Sequence, residues 1–344
     1  MNSLHDDASK MTASGLAVLF CVFFLIAFGL GYSILNRFDP RQTPGLSDVK
    51  TYAALVTGAA VADAEDMRFR RFRVLVPCIA RPFYRLALGR SATWDPVMFG
   101  LLVADSLFVA GTAIFIVVLG RRELGSPAIG LVGALLYLAN FAVPNLRLVG
   151  LVDAGEGFFL IALFWSLLEY QLWGLPLIAV LGALTKESFI PFSVVFTLAW
   201  WFSTRRDRSA ESNLSSALWI VSGWLAGLGA MIALHWSVTG TFVSPLQFGL
   251  ALHRGGGQHF VVSLRDRNLW YIFLWLLPTA VPNLRRFPKS WLIPVGSTCV
   301  LALVMDAYFG GTAEAGSAWG RALFTLAGPL LSLSSAMLLL RIAG

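Results

Sequence analysis

Apolar residues along this 344-residue chain fall into long blocks separated by short charged clusters, the pattern of a helical bundle in lipid. The first block, Gly15 to Leu35, runs about 21 residues without a charge, enough to cross a hydrocarbon core of about 30 Å. Its length, and the lack of an Ala-x-Ala site before Asn36, favour a retained helix over a cleaved signal peptide. Hydropathy windows of about 19 residues place spans near 15–35, 97–119, 126–143, 157–173, 174–186, 188–203, 216–237, 268–284, 291–308 and 319–340. The pattern predicts an all-α fold: a polytopic helical membrane bundle of about ten spans, forming a single membrane domain over 1–344. Within 174–203 the pair Lys186-Glu187 interrupts one apolar run, so two short helices or one re-entrant element both fit.

The charged clusters orient these spans. Arg121-Arg122, Arg205-Arg206-Asp207-Arg208, Arg285-Arg286 with Lys289, and Arg341 all fall on one side. The positive-inside rule makes that side cytoplasmic, and both termini with it. The other side receives 36–96, 144–156, Lys186-Glu187, 238–267 and 309–318, where Asp, Glu, His, Arg, Gly and Trp concentrate. The loop 36–96 is itself basic, but at about 60 residues it lies at the limit where the rule stops applying. A working site therefore faces away from the cytoplasm.

Composition narrows the classes. Hydrophobic residues make up 57% of the chain and charged ones 13%, about half the ~25% of a soluble domain. Three cysteines (Cys21, Cys78, Cys299) make no disulfide framework, and four scattered histidines offer no pattern for structural zinc. Of the 26 basic residues behind the net charge of +7, 22 are Arg, the better fork for phosphate oxygens. They are interrupted by apolar spans and form no continuous stripe, which counts against nucleic acid as a partner. The excess of Arg over Lys suggests a bacterial inner membrane.

The first outer loop carries the most chemistry. Ser47 to Thr57 has helical spacing, with Ser47 or Asp48 as a cap. An acidic patch (Asp63, Glu65, Asp66) precedes Arg68-Phe69-Arg70-Arg71-Phe72-Arg73-Val74-Leu75-Val76-Pro77. Arg interleaved with Phe suits a helix in the headgroup layer, serving as an anchor or as a seat for a lipid phosphate. Arg147, Asp153 and Glu156 lie in the second outer loop. Further on, His253-Arg254-Gly255-Gly256-Gly257-Gln258-His259 reads as a mobile segment able to close over a substrate. Trp200-Trp201, Trp270 and Trp291 at span ends read as interface belts, and His235 as a hydrogen-bonding residue inside a span.

One apolar helix, an outer loop opening on an Asp-x-x-x-Tyr helix (Asp48 to Tyr52), and the Arg-rich stretch ending Phe72-Arg73-Val74-Leu75-Val76-Pro77 resemble the start of the polytopic glycosyltransferases of the C superfamily. Leu184-Thr185-Lys186-Glu187-Ser188 followed by Pro191 resembles that group's Thr-Lys-Glu-Thr type of motif, and Gly320-Arg321-Ala322-Leu323 with Pro329 resembles the Arg that begins its last helices. The chain departs from the group in its short length, in having no soluble C-terminal domain, and in carrying Ser47 and Val49 on either side of Asp48 in place of paired acids.

The resemblance implies an enzyme that transfers a hexosyl or pentosyl group from a polyprenyl-phosphate donor to a glycan, lipid or protein acceptor. It implies Asp48 as base, where the bland alternative is a helix cap. Asp153 and Glu156 become acceptor orienters, or ligands of a divalent cation such as Mg or Mn; two carboxylates three apart share a helix face. Tyr52, Arg70, Arg71, Arg73, Lys186, Glu187, His253 and Arg321 become the substrate-binding set. Lys186 and Glu187 could instead pair with each other, and Arg321 with Glu314 or with the interface. A transporter or lipid flippase would use Asp105, Glu169 or Asp306 in place of Asp48. A catalytically silent assembly partner is the remaining reading.

Overall fold

The computed structural model describes residues 12–37, 47–59, 70–90, 94–207, 209–242, 263–309 and 319–343. All the regular structure among them is helical. Besides the single turn Ile34–Arg37, the α-helices are α1 Ala13–Gly31, α2 Ser47–Thr57, α3 Leu75–Ala87, α4 Pro96–Leu124, α5 Pro127–Ala139, α6 Asp153–Leu168, α7 Leu175–Thr185, α8 Phe189–Thr204, α9 Ala210–Thr239, α10 Arg267–Phe273, α11 Leu276–Leu284, α12 Lys289–Phe309 and α13 Trp319–Ala343.

Local signals set their ends. Asp95 accepts from the amides of Val97 and Met98, Pro96 occupies the first turn where its missing N–H costs nothing, and Gly125 ends α4 at φ 66°. Ser126 and Pro127 repeat the device for α5. Ser209 opens α9 and Gly240, at φ 67°, closes it.

Among the described residues, four helices are long and apolar enough to cross a membrane: α1, α4, the Glu211–Thr239 part of α9, and α13. These features are those expected of an integral membrane protein. α4 and α13 are buried along most of their apolar length, whereas α1 and α9 bury little of theirs. The bundle is therefore organised around α4 and α13, with α1 and α9 outermost. Close backbone approach holds its centre: a Cβ on Gly130 would lie 2.6 Å from the carbonyl oxygen of Val117, and one on Gly100 would lie 2.6 Å from that of Ala80. Small residues at such crossings let helices pack by van der Waals contact, the force available where lipid is as apolar as the side chains.

The structure chooses between the alternatives left open for 174–203 and changes several other expectations. The run 174–203 is two helices, α7 and α8, joined by Lys186-Glu187-Ser188. The span expected at 268–284 is broken into α10 and α11. α6 starts at Asp153, so both candidate acids of the second outer loop sit in its first turn. The described part of the Arg-rich stretch opens with a 3-10 turn, Arg70–Phe72, and α-helix begins only at Leu75. Trp200 and Trp291 are core residues, 1% and 0% exposed, and not interface belts; Trp270 is exposed.

Two sets of charges mark the two ends of α4. At its C-terminal end Arg122 pairs with Glu169, which follows the last residue of α6. The N-terminal ends of α4 and α6 therefore lie together at the other end of the bundle, beside α2 and α3.

Candidate functional site

The sequence-selected residues that lie among those described gather at that second end. α2 presents Asp48 and Tyr52 one turn apart. Asp48 pairs with Arg70 at 3.0 Å. The Tyr52 hydroxyl accepts from Arg73 Nη1 at 2.9 Å, and Arg73 is gripped on its other edge by both carboxylate oxygens of Glu187, with Nε 2.7 Å from Oε2. A planar guanidinium matched to a carboxylate in this two-point manner is the strongest form of ion pair available to side chains. α2 is fixed in turn by α3: Arg81 donates to the carbonyls of Leu55 and Val56, satisfying the C-terminal turn of α2.

Lys186 and Glu187, although adjacent, serve different partners. Lys186 has extended backbone angles, φ −161° and ψ 136°, and successive side chains on extended backbone point to opposite sides. Glu187 thus turns to Arg73. Lys186 turns to α6, where its Nζ lies 2.7 Å from Asp153 Oδ1 and 2.8 Å from Glu156 Oε2. Asp153 and Glu156 share a face because they are three apart, and the first turn of a helix favours negative charge. Glu156 also accepts from Ser188 Oγ.

Arg321, in the first turn of α13, approaches Asp153 Oδ2 at 3.4 Å. Arg147 ends the π-turn Val143–Arg147 and reaches the same region from below: it donates from Nη1 to the backbone oxygen of Asp153 (2.8 Å) and from Nη2 to Thr325 Oγ1 (2.7 Å).

The electrostatics follow from this mutual pairing. Burial works against the charge on Lys186, but the carboxylates of Asp153 and Glu156 outweigh it and hold the ammonium above its ordinary range. Burial likewise pushes Glu187 up, and Arg73 more than reverses this, so the carboxyl is held below its ordinary value. Tyr52 stays above the usual phenol value because burial outweighs the help of Arg73.

The arrangement sorts the candidates. Lys186 and Arg73 are committed to carboxylates. Arg71 stacks over the ring of Phe72 at 5.0 Å. Arg321 has side-chain exposure of 31% and, among the described residues, one long side-chain contact, which leaves it the basic side chain of the cluster best placed to meet a ligand. His253, its glycine triplet, the acidic patch 63–66, Glu314 and the side chain of Asp306 lie outside the described residues. His235 stacks on Phe72 (4.6 Å between centroids) and has Nδ1 3.0 Å from Thr239 Oγ1, the hydrogen-bonding part expected of it.

A divalent cation does not fit Asp153 and Glu156 as they stand. The Lys186 ammonium already fills the space between them, with Arg321 and Arg147 alongside. No group of metal-ligating side chains occurs elsewhere among the described residues.

Sequence reasoning singled out Asp105 only for a transporter, and it passed over Arg147 as a site residue. Asp105 lies inside α4, fully buried, and among the described residues no hydrogen bond of ordinary geometry reaches either oxygen, with the Gly150 amide close by. An apolar cavity lies deeper in the bundle, walled by Phe164, Phe196, Trp291, Leu330 and neighbours, with Thr325 also in its lining.

No protein-family model matches the chain, and no curated protein is significantly similar to it. The site is therefore read from its own chemistry.

Proposed function

We propose that this chain is a polytopic membrane protein of about ten spans, and that it transfers a sugar from a polyprenyl-phosphate donor to an acceptor on the extracytoplasmic face. One observation carries the reading: Asp48, Tyr52, Arg70, Arg73, Asp153, Glu156, Lys186, Glu187 and Arg321 come from five separate parts of the chain and meet at one end of the bundle. Charged groups are costly at membrane depth and are retained there for function. The end where they meet lies opposite Arg121 and Arg122, the side that the positive-inside rule assigns to the cytoplasm. Ten spans follow if α1, α4 to α9, the α10–α11 pair, α12 and α13 each cross once. α3, with Arg81 and Arg85 on one side and exposed Leu86 beyond, suits the headgroup layer.

In this reading the donor phosphate docks on Arg321, whose planar fork suits its oxygens. The acceptor hydroxyl oxygen attacks the anomeric carbon, the bond from that carbon to the phosphate oxygen breaks, and polyprenyl phosphate leaves with the electron pair. Asp48 takes the hydroxyl proton after loosening from Arg70. Asp153 and Glu156, held in place by Lys186, accept hydrogen bonds from acceptor or sugar hydroxyls. Arg73 and Glu187 brace Tyr52 against the site.

A photoreactive polyprenyl phosphate in nanodiscs tests the donor site. Wild-type protein is expected to be captured, with competition by unlabelled lipid phosphate, and Arg321→Ala to reduce capture about tenfold, the effect of one charge-assisted phosphate contact. Equal capture by the variant would remove Arg321 from the site.

Asp105 favours a second reading, a transporter, because an acidic side chain inside a span, without a hydrogen-bond partner among the described residues, is the feature such proteins use.

A further inference from the structure

Arg147 makes no contact with the exposed part of the cluster, yet the geometry of the cluster runs through it. Its side chain is threaded through the bundle interior and is 3% exposed. The π-turn that carries it adds a residue to the helical turn, with the Leu148 amide bonded to the Val143 carbonyl at 3.1 Å, and this re-aims Arg147 toward the centre of the bundle. There the guanidinium joins two helices that otherwise meet the ligand site from different sides. One arm binds the backbone oxygen of Asp153, the first residue of α6, at 2.8 Å. The other binds Thr325 Oγ1 on α13 at 2.7 Å, and the same hydroxyl donates to the Arg321 carbonyl at 2.7 Å, one turn back. The plane of the guanidinium lies over the Phe324 ring at 5.3 Å, and that ring stacks on Tyr137 at 5.2 Å. Gly157 provides the slot: a Cβ there would stand 2.4 Å from Arg147 Nη1.

The separation of Asp153 and Arg321 shows what this bridge does. Free to relax, a carboxylate and a guanidinium close to about 2.7–2.9 Å. Here they stand at 3.4 Å, so the scaffold, and not their attraction, sets the gap. Within that scaffold, where α6 and α13 also pack on each other and Lys186 holds Asp153, Arg147 hydrogen-bonds to both sides.

We propose that Arg147 is a positioning residue: by clamping the start of α6 to the first turns of α13 it holds Asp153 and Arg321 at the spacing that leaves Arg321 open to a phosphate, and so sets phosphate affinity without touching the ligand. The inference rests on the reading of Arg321 as the phosphate anchor. A lipid phosphate and free inorganic phosphate share the recognised chemistry, so both serve as probes.

The test is a binding cycle in nanodiscs, read by native mass spectrometry with a C55 polyprenyl phosphate in one arm and inorganic phosphate in the other. Arg147→Lys keeps the charge and loses the two-armed bridge. Gly157→Ala changes no charge and pushes Arg147 from its slot, and the added methyl favours the helix itself, so a defect cannot be ascribed to a weaker α6. Affinity is measured on the folded fraction, which a purely structural role would leave unchanged. Each variant is expected to weaken polyprenyl phosphate binding about five- to tenfold, and Arg147→Lys to add less than twofold when Arg321 is already Ala. Weakening in both arms places the effect at the phosphate; weakening in the lipid arm alone places it at the tail and overturns the proposal. Wild-type affinity in Arg147→Lys and Gly157→Ala, with Arg321→Ala still defective, overturns the positioning role and spares the phosphate site. So does a full-sized Arg147→Lys effect in the Arg321→Ala background. Absence of wild-type binding in both arms overturns the phosphate site and the positioning role together.

Discussion

Replacing Lys186 with Met keeps most of the side-chain volume and removes only the ammonium that two carboxylates share. Asp153 and Glu156 have side-chain exposures of 7% and 1%, so neither can turn to water for compensation. Breaking a buried ion pair by deleting one partner costs about 3–5 kcal/mol, because the remaining charge is left uncompensated. Residual partners place this case at the lower end: Asp153 retains Arg321 at 3.4 Å, and Glu156 retains the Ser188 hydroxyl. The expected loss is about 3 kcal/mol. Adding Glu156→Gln to Lys186→Met removes one stranded charge while keeping a hydrogen-bonding group of the same shape, so the double variant should recover at least ~1 kcal/mol. Equilibrium unfolding in mixed SDS micelles, followed by tryptophan fluorescence, measures all three differences. A loss below ~1 kcal/mol for Lys186→Met would refute the reasoning. So would a double variant worse than Lys186→Met by the full cost of Glu156→Gln alone.

Other consequences can be checked separately. Because Arg73 holds Glu187 below its ordinary value of 4.5, the ionised pair stabilises the fold above that pH and loses its contribution as pH falls through the lowered value. The stability difference between wild type and Glu187→Gln should therefore be flat from pH 8 to about 6 and shrink below about 4.5; a shrinkage near neutrality would contradict the pairing. Cys78 lies exposed on α3, at the end of the bundle assigned to the outside, whereas Cys21 and Cys299 lie within α1 and α12. A membrane-impermeant maleimide should label Cys78 in intact spheroplasts, and labelling only after permeabilisation would invert the topology. Asp105→Asn keeps the shape of a buried carboxyl that has no part in the proposed phosphate site, and should leave polyprenyl phosphate capture unchanged. Loss of capture in Asp105→Asn would move weight to the transporter reading.

Local signals were the legible part of the fold. Ser47 to Thr57 could be bounded from its helical repeat, and the hydropathy block at 97–119 falls inside α4, whose actual ends are set by Asp95-Pro96 and Gly125. Where tertiary contact decides, the local pattern misled. The Arg-and-Phe stretch 68–77 suggested a helix, yet in its described part Arg73 pairs with Glu187, 114 residues away, and α-helix begins only at Leu75. Trp200 and Trp291 sit where an interface belt would put them, but neighbouring helices cover both. In the candidate site, residue types marked Asp153, Glu156, Lys186 and Arg321 one by one. Their partners could not be read, since Lys186 and Glu187 part company through a backbone conformation at one residue. Arg147 escaped notice as a site residue because its importance lies in the slot at Gly157 and the hydroxyl of Thr325, which only the folded chain brings to it.

The measurement closest to the central claim is donor cleavage. Purified protein in nanodiscs is incubated with a panel of polyprenyl-phosphate sugars, with water as default acceptor and Asp48→Ala run beside it. The account predicts release of sugar from one donor and its loss in Asp48→Ala. Release that survives in Asp48→Ala would contradict the assignment of the base, and release from none of the donors by folded wild-type protein would contradict the transferase itself.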